Sequence, residues 1–366
     1  MCTLSIKNNS CIDTDATVSL EDLLGNIISG KNQQYMEKLT DKVQQDPSKV
    51  LFVLGCGVSA PSGIPTWNRL IDKLWIKQLD RETKDFMPLW KDPEFIPPHT
   101  PDLLEYAEWT KLRCKESEKR PAPVDSVSSI PLDMSILRDV YDIFDKCCDV
   151  DKCNDVVNAI GNIMKHEQKI NAVTYNYDCL IEHYFEVNDI EYLSIYGKKS
   201  MYDFWDTTKR KIYHVHGRVP VPEIKNFSRE NMLDSKEKIV LTESDYYEME
   251  RYAYDWINAV QAERIHRKNM IIIGFSAQDF NFKRILRNIK KEDVPNQQKH
   301  VIFLPVEDIL KDITYPDKTS SNIMRESTQK IAQHYMDIKS LYLEQYGIYP
   351  IWTCYEELPK LLNRLI

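Results

Sequence analysis

The sequence predicts an α/β protein built on a doubly wound, mostly parallel, Rossmann-like sheet. Three observations carry this. Val50 to Leu54 is a continuous apolar run cut off by Gly55-Cys56-Gly57, the pattern of a strand buried on both faces. Further candidate strands recur at Ile170 to Thr174, Tyr192 to Tyr196, Lys211 to Val215, Ile239 to Leu241, Met270 to Ile273, Val301 to Leu304 and Tyr349 to Trp352. Helical periodicity falls between several of them, and alternating helices and strands favour parallel pairing.

Each helix follows from spacing. Leu20, Leu23, Leu24, Ile27 and Ile28 predict an amphipathic helix over Ser19 to Val43, ending near Asp46-Pro47. Helices are also expected at Ile136 to Cys147, Val156 to Met164, Cys179 to Glu186, Glu243 to His266 and Phe280 to Ile289, with a Leu-rich helix closing the chain. Thr242 followed by Asp245 resembles a capping box in which Asp replaces the usual Glu or Gln. From about Asp80 to Pro131 the sequence is charged and Pro-rich with scattered aromatics such as Trp90, Tyr106 and Trp109. The expectation is one domain over residues 1–366 with a helical insertion at about 80–168.

Composition narrows the function. A chain of 366 residues with 48 Lys+Arg against 56 Asp+Glu has a net charge of -8, which argues against a general electrostatic grip on nucleic acid. The longest apolar runs fall well short of the ~20 residues that span a bilayer, and the start of the chain lacks the apolar core of a secretory signal. A cytoplasmic location is expected, with the nine cysteines mostly reduced thiols. Cys147, Cys148 and Cys153 cluster, but no Cys-x-x-Cys pair occurs, so no zinc or other metal site is expected.

Ligands of doubly wound sheets bind outside the carboxyl ends of the strands, which directs attention to four loops. In Gly55-Cys56-Gly57-Val58-Ser59-Ala60-Pro61-Ser62-Gly63-Ile64-Pro65, two glycines directly after a buried strand let backbone approach a pyrophosphate. A tight strand-to-helix turn explains the same glycines equally well. The loop departs from the dehydrogenase fingerprint, because its third glycine is Gly63 and no acidic strand end follows some twenty residues on. The other three loops are Thr174-Tyr175-Asn176-Tyr177-Asp178, Val215-His216-Gly217 and Ile273-Gly274-Phe275-Ser276-Ala277-Gln278-Asp279.

In this order, from about Val50 to Lys283, the four loops resemble the sirtuin superfamily. Leu241-Thr242-Glu243-Ser244-Asp245-Tyr246 and the closing Tyr346-Gly347-Ile348-Tyr349-Pro350-Ile351 make the chain most similar to stand-alone sirtuin-like NAD hydrolases of bacterial anti-phage defence. The protein deacylases differ. They continue after Ile-Pro with Asp-Phe-Arg where this chain has Thr66-Trp67-Asn68, and they carry a zinc module with no counterpart here.

The resemblance implies that Asn176 holds the nicotinamide end of NAD or a water beside it, and that His216 acts on the ribose hydroxyls or that water. It implies NAD contacts from Gly55, Gly57, Ser59, Asp178, Gly274 and Ser276, with NAD as substrate. The residues leave alternatives open: Asp178 and Asn176 could cap the following helix, Ser276 could serve a local turn, and Asp279 reads as a helix cap. His214 and His216 alternate along one strand, so periodicity does not separate them, and only Gly217 and the resemblance select His216. Nicotinamide leaves as a neutral base, so the chemistry asks for a positioned nucleophile and stabilisation of an oxocarbenium-like ribose rather than a general acid.

The implied reaction yields nicotinamide and ADP-ribose. Protein deacylation or ADP-ribosyl transfer, and a nucleotide-binding sensor or assembly subunit without turnover, are the alternatives. Because the resemblance and the closing helix fill most of the chain, control is expected from homo-oligomerisation or a partner. A HerA-type ATPase is the first expectation and an Argonaute-like protein the second.

Overall fold

The computed structural model describes residues 3–5, 17–19, 31–82, 102–118, 136, 139–144, 153–196, 208–219, 239–251, 256–291, 300–311, 313 and 321–366. In chain order the elements are β1 (Thr3–Ser5), β2 (Thr17–Ser19), α1 (Lys31–Gln45), β3 (Val50–Leu54), α2 (Trp67–Glu82), α3 (Leu103–Glu118), α4 (Asp155–His166), β4 (Asn171–Thr174), α5 (Leu180–Val187), β5 (Tyr192–Ile195) and β6 (Arg210–His214). They continue with α6 (Glu243–Arg251), α7 (Trp256–Arg267), β7 (Asn269–Ile273), α8 (Phe280–Lys291), β8 (His300–Pro305), α9 (Glu307–Lys311), α10 (Ser321–Glu344), β9 (Ile348–Thr353) and α11 (Leu358–Asn363).

β3 to β9 form one seven-stranded sheet in the order β5-β6-β4-β3-β7-β8-β9, every pair parallel, while β1 and β2 pair antiparallel apart from it. From β3 the chain first lays down β4, then β5 at the edge and β6 between the two, then returns to the other side of β3 for β7, β8 and β9. This makes the boundary between β3 and β7 the switch point at which doubly wound sheets open a crevice. Alternate residues of β3 point to opposite layers. Phe52 and Leu54 pack with residues of α1, α2, α4, α5 and α11, while Leu51 and Val53 pack with residues of α7, α8 and α10. Burial on both faces explains why β3 is apolar without interruption.

Several helix boundaries have visible causes. Asn154 caps α4, its Oδ1 accepting from the N–H groups of Val156 at 3.0 Å and Val157 at 3.1 Å. At the start of α6, Asp245 Oδ2 accepts from Thr242 N–H at 2.9 Å, the reach-back half of a capping box. At the far edge of the sheet the Asn32 carboxamide of α1 donates to Trp352 O at 2.7 Å and accepts from Trp352 N–H at 3.3 Å. The side chain thereby occupies one rung of the ladder beside β9.

Three expectations need correction. Ile239 to Leu241 is not a strand. Its backbone groups bond elsewhere: Val240 N–H to His216 O at 2.9 Å, Val240 O to the Tyr177 hydroxyl at 2.5 Å, and Leu241 N–H to Asp245 at 3.1 Å. Ser19 ends β2 rather than opening a helix, and the first described helix starts at Lys31, with 20–30 outside the described residues. The span Glu243 to His266 holds two helices, α6 and α7, with 252–255 outside the described residues.

Of the expected insertion, α3 and residues 139–144 are helical, while α4 joins the core layer as part of the β3-to-β4 crossover. The helix expected over Ile136 to Cys147 is described only at 136 and 139–144. Among the described residues no helix is long and apolar enough to cross a membrane.

Candidate active site

Strand register assembles the site. Leu54 is level with Thr174 on one side and with Ile273 on the other, and Thr174 is level with His214. Four strands therefore end on one row. The loops carrying Gly55, Asn176, His216 and Gly274 emerge side by side at the switch point, although they are spread over more than two hundred residues of chain.

The glycines set how closely the two central loops approach. Gly55 N–H donates to Ile273 O at 3.0 Å and Gly57 N–H to Gly274 O at 2.8 Å. A Cβ on Gly55 would lie 2.5 Å from Gly274 O, and one on Gly57 would lie 2.8 Å from Gly274 Cα. Gly274 has φ +61, and its Cβ would overlap the backbone nitrogen of Val58. These glycines are thus required for loop against loop. The N–H groups of Gly55 and Gly57 are engaged across that seam, so these two glycines tie the strand-end loops together.

Ser59 sits beneath this seam, 1% exposed. Its hydroxyl accepts from Asn176 Nδ2 at 3.0 Å, and the second Asn176 bond goes to Gly55 O, also at 3.0 Å. With both amide protons directed at the glycine loop, the carboxamide oxygen is the atom of Asn176 suited to accept from a ligand or water. Asp178 is buried, which raises its carboxyl above the ordinary range against the hydrogen bond from Ser59. It also accepts from Leu180 N–H at 3.2 Å at the start of α5, so the helix-capping role is realised. Asn154 closes the set from below, its Nδ2 donating to Val58 O at 2.9 Å and Ser62 Oγ at 2.8 Å.

His216 lies just past β6, ahead of Gly217 with φ +80. Its ring is 5% exposed and packs edge-on against Tyr175 at 4.9 Å and Tyr246 at 5.5 Å. Burial lowers its pKa below the usual imidazole value, and the Asp279 charge works against that shift. Nε2 faces Asp279 Oδ2 at 3.6 Å, beyond hydrogen-bond range, and has no hydrogen-bond partner among the described residues. A buried ring nitrogen in that state is poised for a ligand hydroxyl or a water.

Asp279 does two jobs. Oδ1 accepts from Phe282 N–H at 2.7 Å and caps α8, as its position suggested. Oδ2 accepts from the Tyr246 hydroxyl at 2.6 Å and confronts His216. Tyr246 and Asp279 join the site only in the structure, since the sequence shows one as the end of a motif after His-Gly and the other as a cap alone. Ser276 is exposed on the same loop, between Gly274 and the left-handed Ala277 at φ +55.

The two histidines separate clearly. His214 is fully buried, with Nε2 2.5 Å from Glu182 Oε1 and Nδ1 3.4 Å from Asn176 O. Burial works to raise the Glu182 carboxyl, but His214, Arg218 and the Ser194 hydroxyl outweigh it and hold it low. Cys179 completes a buried trio whose possible ligand atoms lie within 4.8 Å of one another. Spacing could not reveal this trio, since its members come from α5, the residue before it and β6. Glu182 is already bonded to His214 and Ser194, which suits an internal support for Asn176.

The fold and these loops define a doubly wound α/β protein whose strand-end loops meet at its switch point, where such folds bind ligands. Residues 171–351 match the family model described as a SIR2-like domain, a segment that contains the Asn176, His216 and Gly274 loops but not the Gly55 loop. No curated protein matches. A solved structure titled "Structural Basis for the Mechanism and Regulation of Sir2 Enzymes" is similar at 14% identity and a TM-score of 0.34, over 83% of this chain and 98% of that one. That likeness carries no argument about activity.

Proposed function

We propose that the chain hydrolyses the nicotinamide–ribose bond of NAD. The observation that carries the reading is the buried His216 Nε2, without a hydrogen-bond partner among the described residues, at the switch-point crevice that also holds Asn176. The SIR2-like match over 171–351 supports NAD as the nucleotide. Asn176, aimed by Gly55 and Ser59, accepts through its carboxamide oxygen from the nicotinamide end or the attacking water. His216, held neutral by burial, orients a ribose hydroxyl or takes the proton of that water. The C–N bond breaks with its electron pair leaving on nicotinamide, water oxygen bonds the ribose carbon, and ADP-ribose and a proton result. The surrounding rings of Tyr175, Tyr246 and Phe275 keep bulk water out.

In this reading the activity depletes NAD during anti-phage defence, under control of self-association or a HerA-type ATPase. Incubation of the purified chain with NAD, with and without an acylated peptide, is the test. Nicotinamide release without peptide is expected, and it is abolished in Asn176→Ala and in His216→Ala of unchanged fold. Release that depends on peptide points to acyl or ADP-ribosyl transfer, and binding without turnover points to a sensor. Either outcome from protein assayed with its activating partner overturns the proposal.

A further inference from the structure

Twelve large apolar side chains are exposed among the described residues, and five of them lie within twelve residues of α10. Ile331 is 47% exposed, Tyr335 46%, Ile338 54%, Leu341 63% and Tyr342 41%. The opposite flank of the helix is fixed against the sheet by buried Ala332, Met336 and Leu343 and by Ser340, which accepts from Trp352 Nε1 at 3.1 Å. The stripe therefore faces outward because the helix is already anchored, and apolar residues at such spacing form a docking seam.

The order of residues says what fits it. Ile331, Tyr335, Ile338 and Tyr342 are separated by four, three and four positions, a spacing that reads the same from either end. A two-fold interface needs a self-complementary patch, and an antiparallel copy of this helix supplies one. Ile331 then meets Tyr342 of the second copy and Tyr335 meets Ile338, so each aliphatic side chain faces a ring. One charge borders the stripe: Lys339 Nζ lies 5.4 Å from the centre of the Tyr335 ring and leaves the four seam positions themselves uncharged. Lys330 is held by Glu326 at 2.6 Å and Asp337 by Gln333 at 2.8 Å, while Leu341 falls beside His334 of the second copy and Lys339 beside Ala332.

The area is also sufficient. Five half-exposed side chains of ~200 Å² offer roughly 500 Å² per copy, about 1,000 Å² in all, which reaches the lower bound of specific interfaces. We propose that α10 is a two-fold docking face at which a second copy of this chain pairs antiparallel through Ile331, Tyr335, Ile338 and Tyr342. The proposal goes beyond the enzymatic reading and does not depend on it.

Sedimentation velocity of the full chain without nucleotide tests it. The wild type is expected to be a dimer, or a larger even assembly, at roughly 100 µM. Ile338→Glu and Tyr335→Lys should each weaken pairing more than about tenfold and halve the mass. Far-UV circular dichroism should be unchanged, and Ile338→Ser serves as a milder variant if the charged ones misfold. Mixing Ile338→Glu with Tyr335→Lys should restore pairing, because antiparallel register brings the new charges together. A monomeric wild type overturns the proposal and leaves the stripe to a different protein. So does an assembly indifferent to all three substitutions. Failure of the mixture to re-pair overturns the register.

Discussion

Substituting Gly274 with alanine probes the seam on which the crevice rests. The residue sits at φ +61, where an L side chain costs ~1 to 2 kcal/mol. Its new methyl would overlap Val58 N and lie 2.7 Å from the Gly57 carbonyl carbon, both backbone atoms with no rotamer to yield. Overpacking of this kind adds ~1 to 3 kcal/mol, so a loss of about 2 to 5 kcal/mol is expected in urea unfolding. Relief requires the two loops to part, which breaks the 2.8 Å bond from Gly57 N–H to Gly274 O and displaces Asn176 through Gly55. Nicotinamide release should therefore fall further than stability alone explains. Gly347→Ala is the control: at φ +70 before β9, it lies at the amino end of the sheet and should cost ~1 to 2 kcal/mol with turnover intact. A Gly274→Ala protein with wild-type midpoint and wild-type turnover would refute the reasoning.

Other expectations concern single groups. His300 accepts the Met270 N–H at 3.1 Å, and burial, aided by Lys42, pushes its pKa down to about 4. The unfolded chain takes up the proton first, so stability is complete above the ordinary value of about 6.5 and is lost as pH falls from there toward 4, by about 3 kcal/mol in total. Urea titrations at pH 7 and pH 4 should show that loss in the wild type relative to His300→Gln, which keeps an acceptor and does not titrate; parallel curves would count against it. Asp279→Asn keeps one acceptor, for Phe282 N–H, turns an amide donor toward the Tyr246 hydroxyl, and removes the charge that raises the His216 pKa, so the acid limb of the pH–rate profile should move to lower pH. An unmoved limb would show that Asp279 does not act on His216. Asn154→Asp keeps the cap of α4 and loses the donors to Val58 and Ser62, whereas Asn154→Ala loses both and should cost ~2 kcal/mol. Turnover should drop in both variants, and retention in the Asp variant would separate the tie from function.

The centre of the sheet was legible because β3, β7 and β8 are buried and read as nearly unbroken apolar runs, whereas β5 is only partly buried at the edge and β6 opens on Arg210 and Lys211. Periodicity also found α4 and α8, whose ends match their caps. The three-residue run at Ile239 to Leu241 misled for a physical reason: burial came from loop packing, and its backbone groups were claimed by Asp245, Tyr177 and His216. The candidate residues could be named because each follows a strand directly. Their relations could not. Nothing local in the sequence joins His216 to Tyr246 and Asp279, which meet only once β6 and β7 end on the same row as β3 and β4. Asp279 was understood by half, since a carboxylate has two oxygens and a cap accounts for one.

The Asn32 rung beside β9 bears on how the chain is made. It joins partners 320 residues apart, the first near the start of the described helices and the second in the last strand. During synthesis α1 emerges long before Trp352, so its carboxamide has no strand to grip until β9 has been made. Until then the growing sheet ends at β8 or earlier, with an open edge that invites pairing with other nascent chains. β9 thus completes the described sheet while Asn32 occupies a rung at its edge, which makes the interval between the synthesis of β8 and of β9 the one in which that edge is open.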